Sequence, residues 1–185
     1  VFIHRPLSHD DSQNNCEDNQ MISNTLKHIV FNQLELEEGY KKFRYKCDTG
    51  HWTIGKGYNL DANPLKLSST ELEHLEKFGC SEEKADELLL MHVEKNCLPE
   101  CESFEFWDDL DDVRKYVLIG MVYQMGSIKS WKNTLAAIGS GDYEKASRMM
   151  LQSKWAKQTP NRANFMAEIM KTGVIPHVHH TAKKR

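Results

Sequence analysis

The chain has 185 residues, 39% of them hydrophobic and 28% charged, enough apolar material for one cored domain or two small lobes and too much for a disordered chain. Its longest near-continuous apolar stretch, residues 117–122, is far short of the roughly 20 residues a helix needs to cross a bilayer, so no membrane span is expected. Twenty-four Lys and Arg against 27 Asp and Glu give a net charge of -3, without the basic footprint of a nucleic-acid binder.

Local basic patches remain at Lys41, Lys42, Arg44 and Lys46 and in the tail at Lys183, Lys184 and Arg185; solvated surface charge is the ordinary reading of both. The five cysteines, Cys16, Cys47, Cys80, Cys97 and Cys101, are too few and scattered for a disulfide scaffold, and the odd number leaves at least one outside any intramolecular pair. Cys97 and Cys101 have no second Cys/His pair at a zinc-ribbon distance, and His177, His179 and His180 read as a polar tail, so no metal site is expected. The chain opens on Val1 without the pattern of a signal peptide, as expected of a chain trimmed upstream.

Residues 1–22 are polar and read as a flexible arm. From Ser23 onward Leu26, Ile29, Val30 and Leu34 recur at helical spacing, with Ser23 or Asn24 as N-cap and Gly39 as the stop. Short aromatic and β-branched pieces follow, Phe43-Arg44-Tyr45 and Trp52-Thr53-Ile54, broken by Gly50, Gly55 and Gly57; these predict a small antiparallel sheet. Ser68 to Glu71 fits a capping box opening a helix that ends at Gly79, and Ser81 caps a longer helix running to a break at Pro99.

Beyond Pro99 every segment reads helical: Val113 to Gly126, residues 133–138, residues 143–152, and a helix opened by Thr159 as N-cap with Pro160 behind it. The shift from mixed to all-helical composition predicts a two-lobed α+β protein. Residues 23–80 form its N-terminal lobe, 81–98 a long connecting helix, 99–176 a helical C-terminal lobe and 177–185 a basic, His-bearing tail.

The segment from Glu38 to Tyr58 carries the chemistry. A carboxylate at a helix end, followed by a hairpin bearing Cys, Asp and Thr, can frame a cleft for glycoside hydrolysis, which needs an acid for the leaving oxygen and an opposed group to activate water. Eight residues separate Glu38 from Cys47 and five separate Cys47 from Thr53. This resembles the E-x8-D/C-x5-T signature of the phage-type lysozymes, glycoside hydrolase family 24, and Thr53-Ile54-Gly55-Lys56-Gly57 is similar to that family's Thr-Ile-Gly-x-Gly. Two further blocks resemble it in the same order: Asp109 to Arg114 continuing through Tyr123-Gln124-Met125-Gly126, and Trp155 to Ala163.

The resemblance implies a lysozyme-like fold with its cleft between the lobes. It also implies a muramidase without a cofactor, cutting the β-1,4 bond between N-acetylmuramic acid and N-acetylglucosamine in bacterial peptidoglycan with inversion. Under it Glu38 is the general acid, Thr53 helps hold the attacking water, and Cys47 stands where most members have aspartate. Asn59, Tyr123 and Thr134 are the implied substrate contacts. Arg162 is implied to lie near Glu38, and Trp155 to be joined to Gln124 in the core.

A thiol with an ordinary pKa near 8.5 needs neighbouring positive charge to serve as a base at neutral pH, and Arg44, Lys46 and His51 are the candidates. Asp48 is the rival for that position, and a regular strand would not turn both Cys47 and Asp48 toward Glu38. Some members with this cysteine are held inactive by a disulfide to it, for which Cys16 is the natural partner here. The resemblance places action at the bacterial cell wall, by a monomer or by part of a larger delivery protein such as a tail or toxin. The competing reading is a catalytically impaired wall-binding or lysis-regulating relative.

Overall fold

The computed structural model describes residues 23–47 and 50–176; the arm with Cys16, the rival Asp48 and the tail lie outside the described residues. Helix α1 (Asn24–Glu38) opens where Ser23 accepts a hydrogen bond from the Leu26 amide and closes at Gly39, satisfying end groups that a helix leaves unpaired. Three antiparallel strands follow in sheet order β1-β2-β3: β1 (Lys41–Lys46), β2 (Trp52–Gly55) and β3 (Tyr58–Asn59). Their register pairs Tyr45 with Thr53 and Thr53 with Asn59. These three side chains therefore form one rung on one face of the sheet.

Helix α2 (Ser69–Phe78) carries the expected capping box between Ser68 and Glu71, and α3 (Glu82–His92) starts at the Ser81 cap. Ile54, Tyr58, Leu75, Cys80, Ala85 and Leu88 close a small core beneath the sheet. Contrary to the sequence expectation, the connecting helix does not break at Pro99. A π turn (Val93–Cys97) leads directly into α4 (Leu98–Glu102). The wider turn bonds the Leu98 amide to the Val93 carbonyl, so Pro99, which has no N–H, falls in the first turn of α4, where a missing donor costs nothing.

The second lobe is built around α5 (Asp112–Met125), whose residues Tyr116 through Val122 are all buried. A helix apolar on every side belongs at the centre of a core, and each of its large side chains contributes about 1.5–3 kcal/mol by burial. Around it stand α6 (Lys132–Gly139), α7 (Tyr143–Leu151), α8 (Lys154–Gln158) and α9 (Pro160–Thr172). The Trp155 indole donates to Gln124 Oε1 at 2.7 Å, as the resemblance implies. Thr159 does precede α9, but its hydroxyl donates back to the Trp155 carbonyl instead of capping, because the short helix α8 ends immediately before it.

Leu26, Val30 and Leu34 of α1 lie in this larger core. By packing, α1 is therefore part of the helical lobe, and the sheet lobe begins after Gly39. Glu38 accordingly sits at the junction of the two.

His92, at the end of α3, meets Tyr123 edge-on with ring centroids 5.0 Å apart, and its Nδ1 is buried without a hydrogen-bond partner among the described residues. Burial pushes its pKa down, against a smaller upward pull from Asn96. Below about pH 6.5 the unfolded chain takes a proton that the folded one resists, so stability is lost as pH falls through that window. The urea midpoint of the wild type should drop more between pH 7.5 and 5.5 than that of His92→Phe, which keeps a ring on Tyr123 but cannot titrate. An equal drop in both would assign the acid sensitivity to other groups.

Candidate active site

Three carboxylates, Glu35, Glu37 and Glu38, crowd the C-terminal end of α1, and its last turn holds no basic residue. That arrangement opposes the helix dipole, so cations must come from elsewhere in the chain, and they do. Arg162 of α9 donates from Nη2 to Glu38 Oε1 at 2.7 Å and places Nε 3.1 Å from Glu37 Oε2. Tyr116 of α5 donates to Glu37 Oε1. Among the described residues the second Glu37 oxygen is buried without a well-aligned hydrogen bond. Desolvation accordingly raises the Glu37 pKa against the lowering effect of Arg162 and Tyr116.

Burial lowers the Arg162 pKa, but Glu38 and Glu37 outweigh it and leave that pKa raised. One guanidinium between two carboxylates leaves one negative charge uncompensated in a partly dry site.

The turn between β2 and β3 walls off the other side of Glu38. Gly57 has φ +84°, and a Cβ there would stand 2.8 Å from Glu38 Oε2. Only glycine combines that backbone angle with so close an approach. Burial holds the Tyr123 phenol in its protonated form, and the negative charge of Glu38 and the neighbouring Tyr45 act in the same direction. Cys47 stands one residue beyond the end of β1 and two residues from Tyr45, so it takes the face of Tyr45 where the strand's alternation carries on.

The hairpin continues the ladder one step beyond β1, with the Cys47 amide donating to the His51 carbonyl and the Gly50 amide donating to the Cys47 carbonyl. Thr53 is buried on the same rung as Tyr45, its hydroxyl donating to the His51 carbonyl at 3.2 Å. The three expected activators of the thiol each have another partner as well. The Arg44 guanidinium meets Glu76 and lies over Trp52, Lys46 also lies over Trp52, and His51 faces Asp61. Arg44 and Lys46 occupy the opposite face of the strand by the same alternation that sequence reasoning applied to Cys47 and Asp48.

Of the implied substrate contacts, Asn59 sits on β3 and accepts from the Ala62 amide. The Tyr123 hydroxyl donates to the Lys56 carbonyl at 2.8 Å, and Thr134 is buried in α6. Sequence reasoning passed over Glu37, Tyr116, Glu35, Asp86 and the buried Lys56. The crowding of carboxylates against the dipole of α1 was the available signal for Glu35 and Glu37.

A profile of the family described as phage lysozyme matches residues 35–167. Probable T4-type lysozyme 1 of Dictyostelium discoideum is 30% identical over 163 residues, covering 79% of this chain and 95% of that protein. Probable T4-type lysozyme 2 of the same organism is 28% identical over 158 residues, covering 77% and 93%. With its small antiparallel sheet, its helical lobe and a carboxylate at their junction, the chain belongs to the phage lysozyme family.

Proposed function

We propose that this protein is a muramidase that hydrolyses the β-1,4 bond between N-acetylmuramic acid and N-acetylglucosamine in bacterial peptidoglycan, acting at the cell wall. The observation that carries the reading is Glu38: a carboxyl at the lobe junction, gripped by Arg162 at 2.7 Å and flanked by Gly57. Glu38 takes a proton from solvent in the working complex and gives it to the glycosidic oxygen as the C1–O bond breaks. A water on the opposite face attacks C1, and Cys47, acting as the base, takes the proton that water releases, so the anomeric centre inverts. Thr53 helps hold that water, and Asn59, the ring of Tyr123 and Thr134 contact the glycan.

The test is hydrolysis of purified peptidoglycan, read as clearing and as new reducing ends, by wild type, Cys47→Ser and Cys47→Asp with reductant present. Wild type and Cys47→Asp should clear at comparable rates while Cys47→Ser falls about a hundredfold, within the range set by loss of a general base. Absence of new reducing ends from the reduced wild type would replace this reading with that of a wall-binding relative.

A further inference from the structure

Lys56 occupies the variable position of Thr53-Ile54-Gly55-Lys56-Gly57, at the tip between β2 and β3, yet its side chain is only 3% exposed. Its ammonium donates to Glu35 Oε1 at 2.7 Å and to Asp86 Oδ1. Glu35 belongs to α1, whose buried residues lie in the helical core. Asp86 belongs to α3, whose Ala85 and Leu88 lie in the sheet core and whose Leu89 lies in the helical one. One side chain therefore ties the β2–β3 tip to both α1 and α3. The backbone of the same residue is a second tether, because its carbonyl accepts from Tyr123 of α5 at 2.8 Å.

The next residue, Gly57, is the one beside Glu38, where a Cβ would stand 2.8 Å from Oε2. Glu35 lies three residues before Glu38, nearly one turn back on the same helix. Burying an ammonium is costly unless it is paired. Desolvation pulls the Lys56 pKa down, but the two carboxylates more than reverse this and keep it charged. A buried ammonium held by two part-exposed carboxylates adds little net stability over an apolar side chain. What an ammonium between two carboxylates supplies, and a methionine could not, is a fixed direction toward each.

We propose that Lys56 is a positioning residue for the reaction: the Glu35–Lys56–Asp86 network and the Tyr123 tether pin the β2–β3 tip to the end of α1, so that the Gly57 backbone holds the Glu38 carboxyl in its working orientation. The proposal rests on Glu38 being the general acid. It extends that reading to a residue with no direct contact with the glycan.

The experiment compares wild type with Lys56→Met, Glu35→Gln and Asp86→Asn. It reads kcat and KM on soluble peptidoglycan fragments, the thermal midpoint, and the nuclear Overhauser contact between the Gly57 Hα and Glu38 Hγ protons. Lys56→Met should lower kcat about tenfold or more, the scale on which small misplacements act, with KM within about twofold and the Gly57–Glu38 contact weakened. Glu35→Gln and Asp86→Asn should each lower kcat less, and Glu35→Gln added to Lys56→Met should cost nothing further.

Should Lys56→Met fail to fold, the two carboxamide variants carry the same test. An unchanged kcat and an unchanged Gly57–Glu38 contact in folded variants would overturn the proposal. A wild type inert toward peptidoglycan, with that contact still lost on removing Lys56, would reject the muramidase reading and leave the positioning role standing.

Discussion

Glu38→Gln should lose hydrolysis of peptidoglycan by roughly a hundred- to ten-thousand-fold, the worth of a positioned general acid, while the protein stays at least as stable as wild type. The two halves of this expectation have separate causes. Glutamine has the shape of glutamate, and its carbonyl oxygen can still accept from Arg162 Nη2 where Glu38 Oε1 does now, at 2.7 Å; what it lacks is the proton for the leaving oxygen. On the stability side, Glu37 and Glu38 share a single guanidinium. Neutralising one of them removes the uncompensated charge and leaves Arg162 matched to Glu37.

Active sites commonly hold such unfavourable charge in return for function. A melting temperature that rises or holds, together with lost turnover, would mark Glu38 as catalytic. A fall in both would mark it as a structural ion-pair partner of Arg162. Retained activity would remove it from the mechanism.

What could be read from the sequence was what local physics decides. Ser23 and Gly39 bound α1, the Ser68–Glu71 box opens α2 and Ser81 opens α3 because caps act within one turn. The hairpin was legible because the spacing from Glu38 to Thr53 matches a family motif and because β-branched and aromatic residues alternate across it. Lys56 was not legible, since its partners lie 21 and 30 residues away and a lysine flanked by glycines reads as a solvated turn.

The passage of the connecting helix through Pro99 was hidden for a related reason. Proline alone signals a stop, and the π turn that accommodates it has no sequence signature of its own. The stripe of α1 gave its burial but not its partner, so it was placed with the sheet when its core residues belong with α5 and α9.

Arg162→Met should be the most destabilising single substitution at the site, by about 3–5 kcal/mol, because breaking a buried pair strands the charges left behind. The guanidinium is 16% exposed, and the Glu37 and Glu38 side chains are 13% and 18% exposed, so water screens neither carboxylate well. The loss should also depend on pH, with a definite sign. The Glu37 pKa is already raised in the folded protein by desolvation, with Arg162 the largest lowering influence upon it. Removing Arg162 raises it further.

A carboxyl raised in the folded state keeps its proton at pH values where the unfolded chain has released it. Stability therefore falls as pH climbs from about 4.5 through the folded pKa. The gap between wild type and Arg162→Met, followed by urea unfolding, should be small near pH 4.5 and widen toward pH 7.5. Taking the difference cancels the His92 contribution common to both proteins. Adding Glu37→Gln should recover stability at pH 7.5 and flatten the profile. A gap of the same size at every pH, unaltered by Glu37→Gln, would mean that Arg162 joins α9 to α1 through the packing of its stem and not through its charge.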